Sequence, residues 1–591
     1  MINKLKHGIY RVIHRRNYLL LKQIKTKPEL AALLKICPSF LTNTLYIKKS
    51  TTNYHDFEIP KKSGGVRTIS APPEDLKEIQ RKLADLLQDC KQVIHFDKSI
   101  KCSLSHGFER EKSIITNASI HKRKKTVLNL DLEDFFGKFN FGRVRGFFIS
   151  NKDFRLDPHI ATVVAQIACY NDKLPQGSPC SPVIANLITN SLDIKLSKMA
   201  RKYGCSYTRY ADDITFSTRK IEFPKSIIKN NVPLELGGKL LGEIRRSGFS
   251  VNPNKTRLQF KDSRQEATGL VINKKVNIKS EYWRDTRAMA HRLFKKGKFD
   301  VYDSDGNVRD GKISELEGRL AFIDSIDYFN NVNSKNKVDK QKNGGLNSHL
   351  EKLNSRERIY ARFLHYKNFF ANEHPTILTE GKTDNVYLKA ALCNLQNIYP
   401  NLVSKKTDTS QYIPLLRFPN LNSKTMYFMD LGDGATPFLR FVQRYTVDFN
   451  YYENQKPKSP VIMILDNDDG PKTLLNHLVK NIKSCPNTLP ELKSKGFVHL
   501  FKNLYIILTP LNTDGSDSMM EDLFDKKTLG TVLDGKTFST EKSFDEKKHY
   551  GKHIFSSKVV RSNKANVNFD KFTYIFNEIE KVRAHFSTLK F

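Results

Sequence analysis

The chain has 591 residues, enough for two or three domains that each bury a core. Its 99 basic residues outnumber 62 acidic ones and give a formal net charge of +37, which favours a polyanionic partner, above all a nucleic acid. A basic surface kept for solubility is the alternative. The eight cysteines form no C-x-x-C pair, which argues against zinc sites and disulfides and favours a reducing cytoplasm. We also expect no membrane association, because no apolar run approaches the length of a membrane span.

The first predicted element is a basic helix. No acid precedes Glu29, and Leu5, Ile9 and Ile13 recur at helical spacing. This pattern is typical of a basic amphipathic helix, with an organellar transit peptide as the alternative. From there to about residue 280, short β-rich segments alternate with helical ones.

Two segments of this region carry adjacent carboxylates. The apolar strand TVLNLD ends in Asp131, and the run YTRYADDITF predicts two strands around a turn that holds Asp212 and Asp213. Asp131 and Asp212, with Asp213 in support, could hold two Mg²⁺ ions about 3.5–4 Å apart. Alternatively, Asp131 caps a helix that begins near Glu133.

A loop rich in proline, glycine and serine, LPQGSPCSP, lies between these segments and opens a helix near Val183. Gln176 and Gly177 can approach a nucleotide closely there, with backbone N–H groups nearby. The order LDLEDFF, PQGSPCSP, YADD resembles the palm of reverse transcriptases. GFSVNPNKT and ATGLVIN further along resemble the next palm segment and the hairpin that grips the primer.

The resemblance implies roles for several residues. In IPKKSGGVRTISAP, which resembles the fingers, the Gly-Gly turn would direct Arg67 onto the incoming triphosphate. Phe136 would exclude a ribose 2′-OH. The implied nucleotide-binding residues are Arg67, Phe136, Gln176, Gly177 and Lys255. Arg67 could instead be a solvated strand residue, and Phe136 one more core aromatic.

The segment NASIH matches the N-A-x-x-H signature of retron reverse transcriptases, and Ala267-Thr268-Gly269 stands where that group has V-T-G. The group implies copying of a partner non-coding RNA, primed from an internal guanosine 2′-OH, into branched RNA-linked single-stranded DNA (msDNA). The implied RNA-binding residues are Asn117, Ala118, His121, Thr268 and Gly269. The basic run HKRKK, which starts at His121, could instead be a generic phosphate-binding patch. The alternative to a retron enzyme is a group II intron-like reverse transcriptase.

Helices are predicted at 284–298, 312–329 and 349–371, the first of them heavily basic, and an exposed polar insertion is predicted near 330–347. After Pro375, apolar strands at 376–379, 461–465 and 504–508 alternate with helices, which predicts a buried parallel sheet. Glu380 follows the first of these strands, and the run DNDDG follows the second. Carboxylates at the carboxyl ends of parallel strands can hold one or two Mg²⁺ ions.

This half resembles a TOPRIM domain, which is shared by topoisomerases, primases and overcoming-lysogenization-defect nucleases. The resemblance implies a metal-binding and catalytic set of Glu380, Asp466 and Asp468. Glu521, in MMEDLF, would be an added ligand, and Lys382 would steady charge on a scissile phosphate. Ordinary turns, and for Glu521 ordinary helix-dipole chemistry, are the alternatives. Of the three activities, a nuclease fits best, because no strand-gate tyrosine is evident and a primase would duplicate the first site.

The expected fold is multidomain, α+β followed by α/β: a right-hand polymerase and then a TOPRIM domain. Fingers and palm are expected at 1–280, a basic helical thumb at 281–372, the TOPRIM domain at 373–530 and a basic extension at 531–591. Expected partners are a retron non-coding RNA, its msDNA product and dNTPs, with Mg²⁺ as cofactor and a homo-oligomer left open. By analogy the protein acts in antiphage defence. An RNA-binding scaffold with a non-cleaving sensor or oligomerisation module is the competing hypothesis.

Overall fold

The computed structural model describes residues 2–61, 64–100, 103–302, 306–332, 353–405, 412–419, 423–431, 435–452, 456–541 and 543–591. Two compact units emerge, Met1–Ser280 with Ile326–Lys335, and Glu281–Ser325 with Asn336–Phe591. Most of the polar insertion expected at 330–347 lies outside the described residues. The four domain boundaries expected from the sequence stay predictions.

Within the described residues, the first unit contains one four-stranded sheet and three two-stranded hairpins. In chain order its strands are β1 (His55–Pro60), β2 (Val66–Ala71), β3 (Thr126–Asp131), β4 (Ser206–Tyr210), β5 (Asp213–Thr218), β6 (Ile228–Asn231), β7 (Leu234–Leu236), β8 (Arg257–Phe260), β9 (Glu266–Ala267) and β10 (Leu270–Val271). The sheet is antiparallel with the order β4–β5–β3–β8, and β1–β2, β6–β7 and β9–β10 form the hairpins. Strand β3 is therefore an inner strand. Asp131, its last residue, lies in the middle of the sheet edge formed by the strand ends.

The hairpin predicted around the adjacent aspartates is confirmed. Strands β4 and β5 pair directly, and Ala211 in the turn between them has a φ of 56°, in the left-handed region. The register sets Asp213 opposite Tyr210 on one side and opposite Asp131 on the other. The turn thus brings the acids of two separate motifs to the same end of the sheet.

Helices cover this sheet. Those of the first unit are Ile2–Gln23, Lys27–Leu33, Pro38–Thr42, Glu74–Asp97, Ile114–His121, Phe141–Ser150, Pro158–Ala168, Ser181–Lys202 and Gly238–Arg246. Ser181–Lys202 has Pro182 in its first turn, where the missing N–H costs no hydrogen bond. Its buried leucines, Leu192 and Leu196, pack in one core with Ile214 and Phe216 of β5.

A buried ion pair connects that helix to the aspartate turn. Arg209 of β4 donates from Nε and Nη2 to the two carboxylate oxygens of Asp193, at 2.8 Å each. Its Nη1 donates to the carbonyl oxygen of Ala211 at 2.9 Å and to Asn186 at 3.1 Å. The Tyr207 hydroxyl donates to the same Asp193 carboxylate at 2.6 Å. Since both charged side chains are almost fully buried, this network ties the turn rigidly to the helix.

The strands of the second unit are β11 (Asp300–Tyr302), β12 (Val308–Asp310), β13 (Thr376–Thr379), β14 (Val403–Lys405), β15 (Tyr412–Pro414), β16 (Val461–Leu465), β17 (Phe497–Phe501), β18 (Leu504–Leu508), β19 (Thr537–Phe538) and β20 (His549–Tyr550). A four-stranded sheet has the order β13–β16–β18–β17. The first three of these strands are parallel, which confirms the prediction of a parallel sheet. Strand β17, which was not predicted, runs antiparallel at the edge.

Each face of this sheet is covered by residues from outside the predicted TOPRIM range. From residue 280 onward the helices are Ser280–Lys296, Ile313–Val332, Ser355–His365, Lys382–Asn394, Ser423–Met429, Ala435–Phe449, Lys472–Asn481, Leu489–Ser494, Lys526–Leu529, Lys552–Ile554 and Thr573–Thr588. Because strand side chains alternate, Met463 shares one core with Leu293 and Phe363, while Ile464 shares another with Phe576. The helices expected as a thumb and the segment expected as an extension thus both pack on the sheet.

Across the described residues, no single helix combines the length and apolar character needed to cross a membrane. One pair of short helices, Lys27–Leu33 and Pro38–Ile47, meets the criterion jointly, with a bend of 112° between its members.

We expect Asp193→Asn to lower the free energy of unfolding of the first unit by about 3–5 kcal/mol, because Arg209 would remain as an uncompensated buried charge. Urea denaturation followed by circular dichroism measures this loss. The matched control is Tyr207→Phe, which removes one hydrogen bond to the same carboxylate and should cost about 1 kcal/mol. Equal losses in the two variants would contradict the role given to the ion pair.

Candidate active sites

The first site is built on the carboxyl end of β3 and the turn after β4. The backbone N–H of Leu132 donates to the carbonyl of Asp212 at 3.0 Å, which fixes the turn beside the end of β3. Lys255 Nζ donates to Asp131 Oδ2 at 2.9 Å. No helix begins at Glu133; a turn leads instead into one turn of 3₁₀ helix at Phe136–Lys138. Asp131 therefore has no helix to cap, and the capping alternative is wrong.

The two aspartates of the turn are perturbed by burial and by the neighbouring carboxylates. Burial, and then repulsion from Asp212 and Asp131, raise the pKa of Asp213 to about 7. Burial and the charge of Asp131 also raise the pKa of Asp212, against the attraction of Lys255 and Arg67. A set of buried oxygens with too little compensating positive charge suits a divalent cation. Asp131, Asp212 and Asp213 are the residues that would hold it.

The glycine-rich loop and the fingers hairpin meet. Ser70 of β2 donates its N–H to the carbonyl of Gln176 at 2.8 Å. Gly177 has a φ of 135°, and a β-carbon there would lie 2.4 Å from the carbonyl oxygen of Ser70. Only glycine fits this approach. Both Gly64 and Gly65 adopt positive φ in the β1–β2 turn, and Arg67 follows on β2.

Phe136 is half-buried and contacts Phe135 and Phe108, with ring centroids 5.3 and 6.5 Å away. It lies five residues after Asp131, and its ring is partly open to solvent. The role of Phe136 as a gate against the ribose 2′-OH stays a prediction.

The retron-type residues lie mostly inside the protein. Asn117, Ala118 and His121 are buried on the helix Ile114–His121, and the imidazole of His121 hydrogen-bonds Ser217 and Thr208, each at 2.7 Å. Burial lowers the pKa of His121 to about 3, so the ring is neutral. Contact of these three residues with RNA stays a prediction, and their observed contacts are with protein groups.

Thr268 and Gly269 differ from those residues because they form the exposed β9–β10 turn. Both have positive φ, and the Thr268 hydroxyl donates to the carbonyl of Ile114 at 3.2 Å. Asn117 Nδ2 also donates to that hydroxyl, at 3.4 Å. The turn lines an open groove together with Asp131, Asp213 and Lys255. Ala267, which stands where the V-T-G signature has valine, is buried in β9 and is compatible with the β9–β10 turn.

The second site stands at the carboxyl ends of β13 and β16. Glu380 follows β13, and its Oε1 accepts the backbone N–H of Asp466 at 3.2 Å. Asp466 follows β16, and its Oδ1 accepts the N–H of Met520 at 2.8 Å. Asp468 bonds the N–H of Gly470, and Lys382 is exposed in the first turn of the next helix. The structure thus brings Glu380 and Asp466 together, with Asp468 close behind.

Two residues of this site were missed by the sequence analysis. Asp384, buried in the first turn of Lys382–Asn394, bonds the N–H of Gly381 at 2.9 Å. Lys552 donates to Glu521 Oε2 at 2.9 Å, and Tyr387 OH lies 3.3 Å from the other oxygen of that carboxylate. An acid three residues after Gly381 was a signal for Asp384, but it is also an ordinary helix-capping pattern.

The acids of the second site form one electrostatic cluster. Burial and then the charges of Asp384 and Glu380 raise the pKa of Asp466 to about 8. Burial, followed by repulsion from Asp468 and Asp384, raises that of Glu380 to about 7. Lys552 is the cation that faces this cluster, and the charge of Glu521 raises its pKa against the opposing effect of burial. Excess negative charge at sheet ends again suits a divalent cation.

In this conformation, no three histidine, cysteine, aspartate or glutamate side chains within the described part of the chain stand in a metal-ligating arrangement. At both sites a lysine ammonium instead donates to one of the carboxylates.

The family profile for reverse transcriptase (RNA-dependent DNA polymerase) matches residues 59–272. The chain is 35% identical over 293 residues to the retron Ec86 reverse transcriptase of Escherichia coli, covering 48% of this chain and 80% of that protein. It is 32% identical over 301 residues to the retron Mx162 reverse transcriptase of Myxococcus xanthus, covering 47% of this chain and 59% of that protein. This chain thus spans less than two thirds of the Myxococcus relative.

Among solved structures, telomerase from Candida albicans with a fragment of telomeric RNA is similar over 52% of this chain and 60% of its own, at 11% identity and a TM-score of 0.30. That likeness is too low to bear on the fold. The family profile and the Escherichia coli relative carry the assignment: the chain belongs to the retron reverse transcriptases, and its first half has their polymerase fold.

Proposed function

We propose that the chain is an RNA-directed DNA polymerase that copies a partner non-coding RNA into branched, RNA-linked single-stranded DNA. The observation that carries the proposal is the convergence of Asp131, Asp212 and Asp213 at one sheet edge, beside a groove that also contains Thr268. Bound Mg²⁺ supplies Lewis acidity there for hydroxyl attack and pyrophosphate departure.

The chain's own residues position the reactants. Gly177 lets the nucleotide-binding loop pack directly against the Ser70 backbone of β2, and the exposed Arg67 on the same strand would meet the triphosphate of an incoming nucleotide. Lys255, already bonded to Asp131, balances negative charge in the same groove. Phe136 follows Asp131 by five residues and is partly exposed, and its ring would crowd a ribose 2′-hydroxyl.

Replacing Asp212 and Asp213 by asparagine should reduce copurifying branched DNA by about 100-fold or more, the scale seen when groups that stabilise transition-state charge are removed. Gel electrophoresis of extracted nucleic acid measures this. The matched control is Glu222→Gln, which removes an exposed acid just after β5 and should leave DNA yield unchanged. Persistence of branched DNA in the double variant would refute the polymerase assignment.

For the second unit we propose a TOPRIM nuclease that acts as an antiphage effector and is held in check by the complex of the first unit with its RNA and DNA. Support comes from Glu380 and Asp466 on adjacent parallel strand ends, with Asp468, Asp384 and Glu521 near them. Carboxylates of this kind bind Mg²⁺ through oxygen. Lys552 adds a cation that could stabilise charge on a scissile phosphate.

Glu380→Ala should abolish phage protection while branched DNA is still made, because only the second acidic cluster loses a ligand. Plaque assays and DNA yield from the same strain test both halves of this statement. Asp469→Asn, which changes an exposed acid bonded to Lys472, serves as the control and should retain protection. Survival of protection in Glu380→Ala would assign the second cluster a structural role.

A further inference from the structure

A cleft opens directly beside Glu380, and its apolar walls have no part in the chemistry described so far. We call it the Glu380 cleft; it has a volume of about 360 Å³ and lies between the end of β13 and the helices Lys382–Asn394 and Ser423–Met429. This volume falls within the range of about 300–1,000 Å³ typical of small-molecule sites. Its size fits a nucleobase with part of its sugar.

The walls of the Glu380 cleft are mainly apolar. Phe418, Pro419 and Met426 line its sides and are partly exposed, while Leu431 and Phe438 form a buried floor. Flat aromatic and apolar walls favour a flat apolar ligand face, and every nucleobase has one. Lys389 lies over the Phe418 ring, 5.1 Å from its centroid. One side of this wall therefore already carries a cation.

The Glu380 cleft contains a buried polar atom whose hydrogen-bonding capacity is not used by the described part of the protein. Asn385 Oδ1 is inaccessible to solvent and, among the described residues, has no hydrogen-bond partner. Leaving a buried polar atom unsatisfied costs about 1–3 kcal/mol, so its retention calls for an explanation. The amide of asparagine matches the donor and acceptor pattern at a base edge. A base in the cleft would supply the missing partner.

Charge at the rim favours a ligand with phosphates. Lys382 and Lys389 both line the Glu380 cleft, and neither is ion-paired with an acid in the described part of the chain. The groove on the other side of the acidic cluster differs, because Lys472 there pairs with Asp469 and Lys493 with Asp517. Of the two grooves, the Glu380 cleft is therefore the one whose lysines form no ion pair within the described residues.

We propose that the Glu380 cleft binds one base of a single-stranded nucleic acid, next to the phosphate that the second site acts on. The inference rests on the proposed nuclease function and adds to it a base-reading subsite. A base inside a duplex is stacked and paired, and must leave the helix before it can enter such a cleft. The substrate class is therefore single-stranded DNA or RNA, or a flipped-out base, with preference set by Asn385.

The test uses the full-length protein and single-stranded oligonucleotides that carry one photoreactive halogenated base, in DNA and RNA series. Irradiation in EDTA prevents cleavage, and mass spectrometry locates the cross-links. We expect attachment within the tryptic peptide that begins at Phe418. Phe418→Leu, which keeps apolar packing and loses the aromatic face, should lower this attachment about tenfold.

Asn385→Leu makes the sharpest variant, because the two effects expected of it have opposite signs. Removal of an unsatisfied buried polar atom should leave the melting temperature unchanged or higher, while cross-linking at Phe418 should fall about tenfold for the base that is normally preferred. Lys480→Gln, an exposed lysine outside both grooves, is the control and should change neither. A drop in melting temperature together with unchanged cross-linking would overturn the proposal.

The remaining outcomes separate the cleft from the nuclease. Absence of a cross-link at Phe418, in a protein whose cleavage of nucleic acid depends on Glu380, overturns the base subsite and leaves the nuclease standing. A cross-link at Phe418 without Glu380-dependent cleavage supports the base subsite and refutes the nuclease. Competition by free nucleoside triphosphates as effective as that by oligonucleotides would make the cleft a mononucleotide site, against the proposal.

Discussion

The first half of the chain depends on one buried guanidinium–carboxylate pair. A tight turn that carries two adjacent acids is an unfavourable structure, since the acids repel each other and Ala211 must adopt positive φ. Arg209 offsets this by bonding the carbonyl of Ala211 from within, while Asp193 on a long helix neutralises its charge. The turn that carries Asp212 and Asp213 is thereby held from its buried side.

Much of the architecture was readable because it is locally encoded. The strands that end in Asp131, Glu380 and Asp466 are apolar runs followed at once by an acid, and all three are present. Strand β17 was not predicted, because its five residues, Phe497–Phe501, are a short segment that local pattern does not distinguish from other elements. Its place at the sheet edge depends on pairing with β18, which local pattern does not reveal.

The sites show the same division between local and long-range information. Two adjacent acids in a predicted hairpin are recognisable in the sequence. Lys552 is not, because it is one of many lysines and contacts Glu521 only through the folding of the C-terminal segment. His121 begins a basic run in the sequence, yet its ring lies fully buried between the hydroxyls of Ser217 and Thr208. Burial depends on tertiary packing and cannot be predicted from a short motif.

The two cores on either side of the second sheet have a consequence for biosynthesis. Strands β13, β16 and β18 are translated well before the helix Thr573–Thr588 that covers Ile464 and Ile507. During vectorial synthesis the first unit can complete its core while one face of the second sheet still lacks its cover. Lys552 reaches the acidic cluster only in this late stage. The order of translation itself thus delays assembly of the second site until the polymerase half has been made.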